Sequence, residues 1–112
     1  MSDVIEAVTH EDGGIVVRLT GEIDLHQSPQ FHQQLVALCD EQPQRLILDL
    51  SAVRYIDSSG VGSMVEIFRR LKKEGRLMIL VSPSERVRGV LEITRLDEFF
   101  TIVGSADEAL KL

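Results

Sequence analysis

The sequence predicts an α/β domain built on a mixed sheet of about five strands, mostly parallel with an antiparallel N-terminal edge, and about four helices. Three observations predict it. The chain has 112 residues, enough for one hydrophobic core and too few for two domains. After residue 15, short apolar runs alternate with stretches of helical spacing, the signature of parallel strands joined by crossover helices. Before that point, Glu11-Asp12-Gly13-Gly14 joins two β-prone runs through a tight turn, which demands an antiparallel pair.

The elements follow in order. Val4 to Thr9 is β-prone and mostly alternating, and Ile15-Val16-Val17-Arg18-Leu19 is its hairpin partner. Ser28-Pro29 reads as an N-cap with proline at the first helical position. Phe31, Leu35 and Leu38 then lie at i, i+4 and i+7, one apolar stripe of a helix that Pro43 stops. Leu46-Ile47-Leu48-Asp49-Leu50 is nearly continuous in apolar residues, as befits a strand covered on both faces. From Val61 the spacing turns helical again, through Met64, Val65, Phe68 and Leu71 to Gly75. Leu77 to Val81 is a further strand. Ser82-Pro83-Ser84-Glu85 opens a helix carrying Val87, Val90, Leu91 and Leu96. Phe99 to Val103 is a last short strand and Ser105 to Leu110 a terminal helix.

Composition excludes several classes. With 44% hydrophobic and 27% charged residues the chain is an ordinary globular sequence, so disorder is excluded. The single cysteine, Cys39, rules out a disulfide scaffold, fits a reducing compartment and reads as a buried structural thiol. No apolar run approaches the roughly 20 residues that cross a bilayer. The start, Met1-Ser2-Asp3-Val4, lacks the basic and apolar regions of a secretory signal. The expectation is a cytoplasmic protein with no stable membrane insertion. A formal charge of −6 disfavours nucleic acid as a partner. Arg69, Arg70, Lys72, Lys73 and Arg76 alternate with apolar positions and read first as the solvated side of a helix.

In open α/β sheets the working surface lies at the carboxyl ends of the parallel strands. Three segments fall there: Thr20-Gly21-Glu22-Ile23-Asp24, Tyr55-Ile56-Asp57-Ser58-Ser59-Gly60-Val61-Gly62, and Ser82-Pro83-Ser84. The middle one is densest in small polar residues. Asp57, Ser58 or Ser59 is placed to cap the helix that follows, accepting hydrogen bonds from its free N–H groups. Gly60 and Gly62 exceed what a cap requires, because glycine inside a helical turn costs about 1 kcal/mol relative to alanine. Two of them imply a close approach to the backbone, by a partner or by a packed neighbouring loop.

No catalytic constellation is legible. The loop lacks the Lys-Ser or Lys-Thr of a P-loop, and Gly60-Val61-Gly62 is not a full dinucleotide fingerprint. No serine sits in Gly-x-Ser-x-Gly. Of His10, His26 and His32, only His26 lies near a working loop, with nothing to orient it. His26, His32 and Cys39 are six and seven residues apart, unlike the i, i+4 pairing of helical zinc ligands. No catalytic residue, cofactor or metal is expected.

Gly21-Glu22-Ile23-Asp24, Leu48-Asp49-Leu50-Ser51 and Ile56-Asp57-Ser58-Ser59-Gly60-Val61-Gly62 together resemble the STAS-domain family, most closely its bacterial anti-sigma factor antagonists. The resemblance spans nearly the whole chain and matches the order of elements. It implies a single STAS domain over 1–112 that is not an enzyme. It implies that the unmodified antagonist binds an anti-sigma factor with serine kinase activity and so frees a sigma factor. The kinase then phosphorylates the serine after the aspartate, here Ser58 with Ser59 as second choice, and a PP2C-type phosphatase reverses it. The implied partner-binding set is Glu22, Asp24, Asp57, Ser58, Ser59, Gly60, Val61 and Gly62. The bordering aspartates would position the kinase or bind a basic residue of the partner. Two alternatives stand beside this reading. One is a STAS adaptor subunit of a transporter or stress-signalling complex, which gene neighbourhood separates. The other is a small nucleotide-binding protein, which failure to bind millimolar ATP or GTP would remove.

Overall fold

The computed structural model describes residues 4–112; Met1 to Asp3, part of the segment read for a leader, lie outside the described residues. In chain order the elements are β1 (Ile5–Glu11), β2 (Gly14–Ile23), α1 (Ser28–Asp40), β3 (Arg45–Ile56), α2 (Ser58–Lys73), β4 (Leu77–Val81), α3 (Glu85–Ile93), β5 (Thr101–Val103) and α4 (Ala106–Leu110). The strands form one sheet in the order β1-β2-β3-β4-β5. β1 and β2 are antiparallel, and every later pair is parallel. The hairpin works because Asp12 and Gly13 both take positive φ, 47° and 79°, matching the twist of the flanking strands.

Side-chain alternation along the strands divides the core in two. Leu46, Leu48 and Leu50 of β3 pack with Phe31 and Leu35 of α1, Met64 and Leu71 of α2, and Val87 and Leu91 of α3. Ile47, between them, faces the other way and meets Ile79, Val81 and Ala109 of α4. Three helices therefore cover one face and one short helix part of the other. Cys39 is fully buried in the larger cluster, and burial pushes its thiol up to about 11, so it is a packing residue. Leu38, expected on the same stripe, is only half-buried. No helix among the described residues is long and apolar enough to cross a membrane.

Several expectations need correction. α3 ends at Ile93, so Leu96 lies beyond the helix expected to carry it. β2 and β3 run past Leu19 and Leu50 to Ile23 and Ile56, because their ends pair with each other: Glu22 with Tyr55 and Ile23 with Ile56. Thr20 to Ile23 and Tyr55-Ile56 are thus strand, not loop. α2 starts at Ser58 rather than at Val61, since Asp57 caps it. Ser28 is not a cap. The N-cap is Gln27, with no side-chain bond, and Ser28 is the first helical residue. Phe99 and Phe100 stand outside β5. Both rings pack on Phe68 of α2, one tilted and one edge-on, at centroid distances of 4.8 and 5.5 Å, which holds that segment against the helix.

Two of the clustered basic residues, Arg70 on α2 and Arg76 beyond its end, are tethered locally. Arg70 bonds Asp40 at 2.7 Å and Glu74 at 3.3 Å, and Arg76 donates to the carbonyls of Gln42 and Pro43.

Candidate functional site: the joined ends of two parallel strands

β2 and β3 end side by side, and each is followed at once by an aspartate. Asp24 folds the chain back: its Oδ1 accepts from the amides of His26 and Gln27 at 3.0 and 3.1 Å, an Asx turn that leads into α1. Asp57 leaves β3 in extended conformation and caps α2. Its own amide donates to the Ile23 carbonyl at 3.2 Å, which ties the two strand ends together.

Asp57 is used on both oxygens. Oδ1 accepts from the amides of Ser59 and Gly60 at 2.9 and 3.3 Å, and from the Ser59 hydroxyl. Oδ2 accepts from the Leu25 amide at 3.1 Å. Desolvation, the largest single influence on this carboxyl, pushes it up. The bonds from Ser59, Gly60 and Leu25 outweigh it together and hold the group below the ordinary carboxylate range. The sequence left open which of three residues caps the helix, and the answer is Asp57.

The two serines then diverge. Ser59 turns inward: its hydroxyl donates to Asp57 and accepts from the Ser28 hydroxyl at 2.7 Å. Ser58 is exposed, and its hydroxyl has no hydrogen-bond partner among the described residues. No group of His, Cys, Asp and Glu among the described residues is placed to hold a metal ion.

The glycines diverge as well. A Cβ on Gly60 would sit 2.7 Å from Ile23 Cγ2, 2.8 Å from the Ile23 carbonyl oxygen and 2.9 Å from Ile56 Cγ1, so the end of β2 is what approaches it. Gly62 is exposed and has nothing within 4 Å. Packing explains one glycine and leaves the other open to the outside.

Of the eight expected contact residues, Val61 is withdrawn from the surface: it is 6% exposed and belongs to the core. Gly60 is buried too. Asp24 and Asp57 spend oxygens on backbone amides, so they shape the loop before they meet any partner. Glu22 is exposed on β2 and shares a small cleft with Asp24, Gln27 and Arg54. Two residues escaped the sequence reading. Leu25 is 70% exposed, an apolar side chain whose amide is bonded to Asp57. Its only signal was an apolar residue inside a polar turn. Ser28 carried the signal of a cap, and the hydroxyl serves Ser59 instead.

Comparison with known proteins gives consistent relatives. Residues 5–109 match the STAS domain family model. The anti-sigma-B factor antagonist of Bacillus subtilis (strain 168) is 34% identical over 100 residues, 89% of this chain and 91% of that protein. The crystal structure of an anti-sigma factor antagonist from Mycobacterium paratuberculosis superposes with a TM-score of 0.84 at 31% identity, covering 94% of this chain and 89% of that one. The anti-sigma factor antagonist SpoIIAA in its unphosphorylated form gives 0.79 at 25% identity, covering 93% and 91%. The phosphorylated form of SpoIIAA, a Bacillus cell fate determinant, gives 0.68 at 26% identity, covering 94% and 97%.

Proposed function

This chain belongs to the STAS-domain family, among the bacterial anti-sigma factor antagonists, and from that premise we propose that it is a partner-switching protein whose switch is Ser58. Unmodified, it docks an anti-sigma factor with serine kinase activity through the surface around Ser58 and releases a sigma factor. Phosphorylation of Ser58 ends the docking, and a PP2C-type phosphatase restores it. The protein acts in the cytoplasm by binding, with no cofactor of its own.

The observation that carries this reading is the contrast between the two serines: one hydroxyl exposed and unbonded at the first position of a helix, the other tied into the cap. The existence of a relative in both unphosphorylated and phosphorylated forms supports it. So does physics. A phosphate adds about −1.5 to −2 charges at neutral pH. The start of a helix tolerates an anion, so the fold survives the change. Across an interface the effect is large. Two like charges about 4 Å apart repel by roughly 4 kcal/mol at an effective dielectric of about 20. About 2.7 kcal/mol of that weakens binding a hundredfold. Because Asp57 already occupies the Ser59 and Gly60 amides, the phosphate has no inward amides to claim there and projects its charge at the partner.

The test is affinity capture from lysate of the source cells with wild type, Ser58→Ala and Ser58→Asp, with phosphate incorporation measured alongside. Ser58→Ala is expected to retain the kinase and take up no phosphate, and Ser58→Asp to release it. Equal incorporation into wild type and Ser58→Ala would sink the assignment.

A further inference from the structure

Ser58 and Ser59 offer two identical hydroxyls on successive residues, and a kinase that reaches one is close to the other. Ser59 differs from Ser58 in two bonds, one to Asp57 and one from Ser28, which lies on a different helix. Ser28 is 6% exposed, and its hydroxyl donates to Ser59 Oγ at 2.7 Å. Ser59 in turn donates to Asp57 Oδ1. The chain of bonds runs one way, from Ser28 through Ser59 to the carboxylate, and each hydroxyl spends its single proton on the next acceptor.

We propose that Ser28 is a positioning residue that directs phosphoryl transfer to Ser58 and away from Ser59. This rests on the reading of the loop as a kinase acceptor. In the transfer, serine Oγ bonds to the terminal phosphorus of a kinase-bound nucleoside triphosphate. The bond from that phosphorus to the bridging oxygen breaks, the diphosphate leaves with that oxygen, and the hydroxyl proton passes to the kinase or to water. Ser58 surrenders nothing to do this. Ser59 must withdraw its proton from Asp57 and turn its oxygen away from Ser28. The Ser28 hydroxyl is then buried with its acceptor gone, and an unsatisfied buried donor is costly. A neutral hydroxyl on α1 thus protects one of two adjacent serines on α2. Burial makes the protection firm, because water has little access to replace the lost acceptor.

Wild type, Ser28→Ala and Ser28→Thr, each tagged, are produced in the source cells, and mass spectrometry reads how phosphate divides between positions 58 and 59. NMR on the purified chains follows the Ser59 side-chain rotamer. Wild type is expected to carry phosphate on Ser58. Ser28→Ala is expected to raise the share on Ser59 about fivefold, the change that loss of one ordinary hydrogen bond brings. Its Ser59 side chain should average between rotamers. Ser28→Thr keeps the hydroxyl and should restore both. A mere loss of stability in Ser28→Ala would lower phosphate at both positions together and leave the ratio unmoved. An unmoved ratio, or a Ser59 rotamer that stays single in Ser28→Ala, overturns the proposal while Ser58 remains the switch. Absence of phosphate from both serines of wild type overturns the switch reading and the proposal with it.

Discussion

The starts of α2 and α3 invite comparison. Both follow the carboxyl ends of neighbouring parallel strands, both begin with a short polar segment, and both are capped by one side chain. In α3 the cap is Ser84. Its hydroxyl accepts from the Val87 amide at 3.4 Å and donates to the Val53 carbonyl at 2.6 Å, so it is consumed in joining α3 to β3. In α2 the cap is Asp57, a residue with two oxygens and no proton to place. The serine that follows is thereby left without structural duty. A polar loop at the carboxyl edge of a sheet has a serine free for the proposed switch when a neighbour takes over the capping, and has none when its serine must do the capping itself.

The largest expected effect is on binding at α2 alone. Phosphorylated Ser58, or Ser58→Asp as a weaker mimic, should lower capture of the partner by about a hundredfold at full phosphate charge. Ser84→Asp should leave capture unchanged. Titration calorimetry on the captured partner checks both. Equal losses at the two positions would erase the distinction between switch and joint.

Next comes the packing behind the proposed switch. Gly60→Ala forces a methyl against Ile23 and Ile56 and should destabilise the chain by about 2 kcal/mol in urea unfolding. Gly62→Ala meets open space and should stabilise the helix by about 1 kcal/mol. If Gly62→Ala nonetheless weakens capture, the second glycine serves the partner. If it does not, that glycine carries no functional weight.

Leu25 sharpens the outline of the surface. It is exposed, and its amide is bonded to the Asp57 cap. Leu25→Ser should leave the unfolding midpoint within error, yet reduce capture about tenfold, as loss of an apolar anchor at an interface does. A variant that binds as wild type would exclude Leu25 from the interface.

How much of this was legible in advance follows from where the information resides. The hairpin was legible because Asp12-Gly13 accepts the left-handed backbone its turn needs. Mostly parallel strands, and with them the carboxyl edge where the candidate site was sought, were legible because apolar runs and helical spacing alternate without ambiguity. The ends of β2 and β3 were not. Glu22 and Tyr55 look like loop residues, and only their mutual pairing makes them strand. Phe99 and Phe100 read as strand by composition, and packing on Phe68 overrides that. At the site, local rules allowed three capping residues and could not rank them. Of the two hydroxyl bonds that distinguish Ser59 from Ser58, one goes to nearby Asp57 and the other comes from Ser28, 31 residues away, which local spacing does not encode. Gly60 was flagged correctly as a close approach, but whether a partner or its own neighbour approached needed the position of Ile23.

The joint itself predicts a smaller effect. Ser84→Ala removes an acceptor for Val87 and a donor for Val53 and should cost about 1 kcal/mol of stability. Ser58→Ala removes no bond and should cost close to nothing. Urea unfolding of the two variants gives the ratio. Comparable losses would mean that Ser58 has structural work after all.

The finest distinction is in pH. Asp57 holds its proton less tightly in the folded chain than its ordinary value of 3.8, because amides and the Ser59 hydroxyl favour the ionised form more than desolvation opposes it. The unfolded chain therefore binds the proton first as pH falls. The stability that this cap contributes is complete above the ordinary carboxylate range and is lost as pH drops through the lower folded value. Ser59→Ala deletes one of the bonds that favour ionisation, so the folded pKa moves back toward the ordinary one. Its stability deficit relative to wild type should be largest near pH 7 and shrink below about pH 4, where the carboxyl is protonated in the unfolded chain. Ser84 is a neutral cap, and the deficit of Ser84→Ala should be flat over the same range. Urea unfolding of the two variants and wild type from about pH 3 to pH 7 reads both curves. A flat Ser59→Ala deficit would mean that Asp57 holds its helix by geometry alone, and that the charge of the cap has no part in separating the two serines.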